Sequence, residues 1–179
     1  EHADHTHGID ELRGFYLRQR RLIPIWADDE TLRVLQLRFA YCFASAPGSD
    51  YPPVLEARRI VAGNDLTTVG DGGEIRGLPF RLRHGAIDAL GFRVGGMAYT
   101  PDLNDIPDES IDALSDLDLW IVDALRRTPH PSHFHLDETL AWIDRLKPKR
   151  AILTNMHNDM DYATLERALP QHVKPAYDG

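Results

Sequence analysis

The sequence predicts a layered α/β sandwich, and two contrasting textures along the chain carry that prediction. From Val54 to Thr100, five apolar segments follow one another, separated by turn signals such as Gly63-Asn64-Asp65, Asp71-Gly72-Gly73 and Gly95-Gly96. After Pro107, apolar segments alternate with helical patterns. A strand meander running into strand–helix alternation points to layers of sheet and helix rather than to a pure Rossmann sheet. The 179 residues contain no internal repeat and no linker long enough to separate domains, so a single domain over 1–179 is expected.

Each element has a local reason. Glu1–Gly8 mixes His, Asp, Thr and Gly without an apolar period and is expected as a loop. In Ile9–Leu17, Leu12, Phe15 and Tyr16 fall at helical spacing, and Leu22–Trp26 is a short apolar strand. Asp28-Asp29-Glu30 puts three carboxylates where a helix dipole favours them, at the start of a helix expected to reach about Ala44. An irregular connection through Pro47, Gly48, Pro52 and Pro53 leads to strands at Val54–Val61, Leu66–Val69, Leu78–Arg83, Leu90–Val94 and Met97–Thr100. A short helix follows at Asp108–Leu114. Strands Leu117–Ala124, Ala151–Thr154 and Val173–Ala176 then alternate with helices at about Leu136–Leu146 and Tyr162–Leu169.

Composition narrows the function. The net charge of −8 argues against an all-over basic surface and so against stable nucleic-acid binding, while leaving room for a local basic pocket. The single cysteine, Cys42, excludes an internal disulfide framework and a cysteine-based metal cage. No run of 18 apolar residues is present, so no membrane span is expected, and with no visible signal peptide the expected location is the cytoplasm. Nine His and twenty Asp against eight Glu is a composition rich in metal ligands.

Spacing gives that composition a meaning. His2-Ala3-Asp4-His5-Thr6-His7-Gly8 places two imidazoles and a carboxylate within four positions, which suits a Zn²⁺- or Mn²⁺-type ion. A segment of that kind by itself reads as a solvated polar terminus. Here it is joined by His84 after strand Leu78–Arg83, Asp102 after Met97–Thr100, His133 after Leu117–Ala124 and His157 after Ala151–Thr154. Polar groups gathered at strand ends are how layered α/β proteins build sites.

These residues carry a family resemblance. His2-x-Asp4-His5 resembles the last three members of H-x-H-x-D-H, the signature of metallo-β-lactamase-fold hydrolases, and His84, Asp102 and His157 follow in that family's order. The phrases His2–Asp10 and Tyr99-Thr100-Pro101-Asp102 more closely resemble the PhnP-type branch, the phosphoribosyl cyclic phosphodiesterases, with tRNase Z as a broader relative. The resemblance implies a four-layer αββα sandwich. It also places a first motif histidine immediately before Glu1 and opening strands ahead of that, so the domain is expected to be N-terminally incomplete.

The resemblance further implies two divalent ions, Zn or Mn. One would be held by the preceding histidine, His2 and His84, the other by Asp4, His5 and His157, with Asp102 bridging. Such a pair generates hydroxide at neutral pH and clamps a phosphoryl oxygen, and Asp4 would orient that hydroxide. Asn155 is a weaker alternative to His157; strand alternation sends residues 155 and 157 to one face, and imidazole is the commoner ligand. His133 lies where the tRNase Z-like relatives place a histidine that touches the scissile phosphate and protonates the leaving oxygen. His135 is a substrate-binding candidate beside it, with capping of the helix from Leu136 as the competing role for His130 and His135. Arg81, Arg83, Arg126 and Arg127 are candidates for a second phosphate, with surface solvation the default reading.

The function expected is therefore a metal-dependent phosphodiesterase acting on a small phosphate ester, cyclic or nucleotide-like, with a homodimer compatible. The alternatives are a thioester or lactone hydrolase, an RNA 3′-processing nuclease of the same fold, and a non-catalytic metal-binding module.

Overall fold

Helical periods in the first sixty residues are short, and they build small elements. A computed structural model describes residues 2–179, and the chain divides into two units, Glu1–Val61 and Ala62–Gly179. The first unit contains α1 (Ala3–Thr6), a 3₁₀ helix (Ile9–Leu12), α2 (Arg13–Gln19), β1 (Ile23–Ala27), α3 (Asp29–Arg38), α4 (Ala40–Phe43) and β2 (Leu55–Arg59). β1 and β2 pair in parallel, Ile23 opposite Leu55 through Ala27 opposite Arg59. Ile9, Leu35, Cys42, Val54 and Leu55 form its buried cluster.

Two expectations are corrected in this unit. Of the loop expected over residues 1–8, Glu1 lies outside the described residues, and Ala3–Thr6 is helical. One turn needs no apolar period: the His7 N–H donates to the Ala3 carbonyl at 2.9 Å and the Thr6 hydroxyl to the His2 carbonyl at 2.9 Å. The helix expected to run to Ala44 is two helices. Asp28 caps it as the acidic run predicts, its Oδ1 accepting from the Thr31 N–H at 2.8 Å, but Phe39 leaves helical geometry at φ −124°, ψ 39°. Phe39 then packs against the buried cluster that includes Leu35 and Cys42.

The second unit is built on a seven-stranded sheet: β3 (Leu66–Gly70), β4 (Gly73–His84), β5 (Ile87–Val94), β6 (Met97–Thr100), β7 (Leu119–Asp123), β8 (Ala151–Thr154) and β9 (Val173–Pro175), neighbours in that order. β4 is twice the length expected because it pairs twice, Gly73–Gly77 with β3 and Leu78–His84 with β5. The meander β3–β6 is antiparallel, and β6 through β9 are parallel. A 3₁₀ helix (Asp108–Leu114), α5 (Leu136–Leu146) and α6 (Tyr162–Ala168) make the return connections. The core centres on Leu82, Trp120, Val122, Phe134, Leu153 and Leu165. A buried polar pair is matched within it: the Trp120 indole N–H donates to Thr100 Oγ1 at 3.0 Å.

Candidate active site

Strand direction decides which residues meet. β5 runs against both β4 and β6, so β4 shares its direction with β6, and β7 and β8 run parallel to β6. The C-terminal ends of all four therefore face the same edge of the sheet. There stand His84, the last residue of β4; Asp102, two past β6; Asp123, the last of β7; and Asn155, one past β8. The Arg83 N–H donates to the Asp105 carbonyl and the Asn104 N–H to the Arg83 carbonyl, drawing the chain after β6 alongside the end of β4.

His84 is buried, and its Nδ1 lies 2.6 Å from the Ser132 carbonyl oxygen. A carbonyl only accepts, so Nδ1 carries the proton and the ring lone pair is at Nε2, the tautomer a metal ligand uses. Gly85 makes this approach feasible: its φ is +62°, and a Cβ there would stand 2.9 Å from the Ser132 Cβ.

His133 is the hub. Its Nδ1 lies 2.7 Å from Asp123 Oδ2 and 3.8 Å from Asp102 Oδ1, and its ring meets His84 edge-on with centroids 4.6 Å apart. Asn155 Nδ2 donates to Asp102 Oδ1 at 2.8 Å. Asp123 has no solvent exposure. Its Oδ2 also receives the Leu103 N–H at 3.3 Å, while Oδ1 is buried with no hydrogen-bond partner among the described residues. Burial pushes its carboxyl up to about 6, outweighing the lowering by His133 and the Leu103 N–H.

Ligand-capable atoms of Asp102, Asp123 and His133 all lie within 4.8 Å of one another. The Nε2 lone pair of His84 and the carboxylate of Asp102 are donors that fit a borderline divalent cation, while Asp123 is taken up by His133.

The other expected residues are placed as follows. His2 is the residue preceding α1, and Asp4 and His5 lie within it, His5 Nε2 standing 3.7 Å from Asp4 Oδ2. His135 precedes α5 without capping it through its side chain; Nδ1 faces Glu138 Oε2 at 3.2 Å. Arg81 and Arg83 both engage Asp88. His157 is not brought to the cluster: it is exposed, and its Nδ1 faces Asp159 at 3.2 Å. The alternation that would align residues 155 and 157 ends with β8, because Asn155 is in the left-handed region at φ 59°. The amide of Asn155, not the imidazole of His157, therefore meets Asp102.

Asp123 escaped the sequence reading. It ends an apolar strand of the kind read as buried on both faces, and a carboxylate in the last position of such a strand was the available signal.

The comparisons with known proteins bear on the family and the fold. A family model described as the beta-lactamase superfamily domain matches residues 1–156. An octanoyltransferase from Porphyromonas gingivalis is 29% identical over 184 residues, taking in 100% of this chain and 35% of that protein. Among solved structures, a diphosphatase of the PhnP family superposes with a TM-score of 0.86 at 30% identity, over 99% of this chain and 66% of that one. The metallo-β-lactamase fold protein YhfI from Bacillus subtilis gives a TM-score of 0.75 at 16% identity, over 100% and 72%, a likeness of fold. The chain thus spans 35% of the length of the octanoyltransferase and 66% of that of the diphosphatase. No helix among the described residues is long and apolar enough to cross a membrane. With a histidine–carboxylate cluster at the strand ends of a mixed seven-stranded sheet, and with the family match over most of its length, this chain belongs to the beta-lactamase superfamily and has the metallo-β-lactamase fold.

Proposed function

We propose that this chain carries the hydrolytic centre of a metal-dependent phosphodiesterase acting on a small phosphate ester, cyclic or nucleotide-like. The observation that carries the proposal is the 2.7 Å contact between His133 and the buried Asp123, beside Asp102 and His84. A histidine backed by a carboxylate is a proton donor held in one orientation. With Nδ1–H given to Asp123, Nε2–H of the imidazolium is the proton offered to the departing ester oxygen, and the carboxylate steadies the positive ring while the proton is held.

His84 and Asp102, with His2, Asp4 and His5 from the family motif, are the proposed ligands of two divalent ions, Zn or Mn. Asn155 fixes the rotamer of Asp102 through its 2.8 Å bond. Such ions, when bound, acidify water and draw charge from a phosphoryl oxygen. The PhnP-family diphosphatase, at 30% identity, supports a phosphate-bearing substrate. The likeness to an octanoyltransferase favours carrying a thioester through the same assay.

The test uses the full-length protein loaded with Mn²⁺ or Zn²⁺, assayed on bis(p-nitrophenyl) phosphate, cyclic nucleotides and an octanoyl thioester. Turnover of a phosphodiester is expected, with His133→Ala lowering kcat by about 10²–10⁴-fold. Bound metal without turnover of any phosphodiester overturns the proposal; turnover of the thioester instead selects the acyl hydrolase.

A further inference from the structure

Ser132 joins two histidines that hold opposite tautomers. Its carbonyl oxygen stands 2.6 Å from His84 Nδ1, and since a carbonyl only accepts, His84 carries its proton on Nδ1. Its N–H stands 3.3 Å from His130 Nδ1, and since an N–H only donates, His130 keeps Nδ1 bare and its proton on Nε2. The Ser132 hydroxyl lies 3.3 Å from the same nitrogen. Burial first, and the charge of Arg126 after it, hold the His130 ring below its ordinary value, so Nδ1 remains an acceptor.

A neutral histidine in water prefers its proton on Nε2, so His84 keeps the less favoured form only while the Ser132 carbonyl stays in place. Ser132 belongs to the connection between β7 and α5, and no strand or helix fixes it. His130 gives it a stiff footing. The ring is half-buried and stands between Pro129 and Pro131, whose φ angles are set by their own rings; Pro131 also biases His130 towards extended backbone. Arg126 ties down the approach, its Nε donating to the Thr128 carbonyl at 3.1 Å and its Nη2 to the Pro129 carbonyl at 2.6 Å. The His130 ring packs against His133 with centroids 5.1 Å apart. Towards β4, Ser132 lies so near Gly85 that a Cβ there would stand 2.9 Å from its own.

We propose that His130 is a positioning residue for the metal centre: by accepting the Ser132 N–H it fixes the Ser132 carbonyl, and that carbonyl holds His84 with its Nε2 lone pair available as a ligand. The inference rests on the reading of His84 as a metal ligand in the proposed phosphodiesterase, and deepens it by naming what sets that ligand. His130 acts through Ser132 and touches neither ion nor substrate. Its Nδ1 is the atom that matters, and its Nε2–H is not.

Three substitutions separate the atoms of the ring. In His130→Asn the amide oxygen falls near the place of Nδ1 and accepts the Ser132 N–H. In His130→Gln the amide nitrogen falls near Nε2 and replaces only the donor, and His130→Ala replaces neither. On full-length protein labelled with ¹⁵N-histidine and stripped of metal, long-range ¹H–¹⁵N correlation reads the tautomer of His84; chelator competition with Zn²⁺ reads its affinity. The wild type and His130→Asn are expected to keep the His84 proton on Nδ1, and His130→Ala and His130→Gln to shift it towards Nε2. Zn²⁺ binding is expected to weaken by about 10- to 100-fold in the latter two and to stay within about threefold of wild type in His130→Asn. His130→Ala with tautomer and affinity unaltered, or His130→Asn no better than His130→Ala, overturns the inference; if His130→Ala does not fold, the comparison of Asn with Gln decides. Activity rescued by Gln and not by Asn also overturns it, by placing Nε2–H against substrate. The tautomer and the affinity are read without substrate. Their expected pattern with no phosphodiester turned over upholds this inference and removes the phosphodiesterase, and turnover with a tautomer unmoved by any substitution removes this inference only.

Discussion

His133 Nδ1 and Asp123 Oδ2 stand 2.7 Å apart, a ring at the mouth of the cluster joined to a carboxylate with no exposure of its own. Asp123 sits behind His133 and acts through it. Asp123→Asn is expected to lower kcat by about 10- to 100-fold, as loss of a supporting partner does, with KM changed by less than about twofold. Steady-state kinetics on the phosphodiester that the wild type turns over best decides this; an equal rise in KM would place Asp123 against substrate instead.

The same carboxylate makes metal-free stability depend on pH. Its folded value is raised to about 6 from an ordinary 3.8, so folding favours the protonated form. That stabilisation is fully present below about pH 4 and is lost as pH rises through 6, a change on the order of 3 kcal/mol. Urea unfolding of chelator-treated protein between pH 4 and pH 7 is expected to show this decline, and Asp123→Asn to flatten it. An unchanged slope in the variant would assign the pH dependence to other groups.

Asn155 and His157 predict opposite effects on metal content. Removing the amide that holds Asp102 is expected to weaken metal affinity by about 10- to 100-fold in Asn155→Ala. His157→Ala, which loses only an exposed contact to Asp159, is expected to bind metal as the wild type does. Elemental analysis after dialysis against graded chelator measures both; metal loss in His157→Ala would return that histidine to the ligand set.

Gly85→Ala tests the packing beneath His84. The backbone stands at φ +62°, and the new Cβ would lie 2.9 Å from the Ser132 Cβ. Strain and displacement together are expected to cost about 2 kcal/mol, lowering Tm by roughly 4–8 °C. A melting curve matching the wild type would mean that the Ser132 segment yields without cost.

Periodicity located the strand ends of this site, and the family resemblance supplied the roles expected of the residues there. His84 and Asp102 stand where an apolar strand gives way to polar chain, whereas His133 lies in the loop before α5 and was singled out by the family resemblance. Asp123 was not, since it sits inside the run read as strand Leu117–Ala124, and its burial depends on Leu103 and His133 arriving from elsewhere. Asn155 rather than His157 meets Asp102 because alternation holds only while the chain stays extended, and Asn155 turns it left-handed. Asparagine is among the residues that tolerate that turn most readily, so a signal was present in the residue itself. The double pairing of β4 was hidden because Gly73 and Gly77 resemble turn residues when read locally.

The four strands that point the same way, β4, β6, β7 and β8, deliver His84, Asp102, Asp123 and Asn155 from widely separated stretches of chain. None of these side chains finds its partner within its own segment, so the cluster has no local precursor and comes into being only with the sheet. Activity is then a cooperative property of the folded state: under denaturant it should vanish along the same transition that dissolves the sheet, and a proteolytic fragment lacking any one of the four strands should retain none of it.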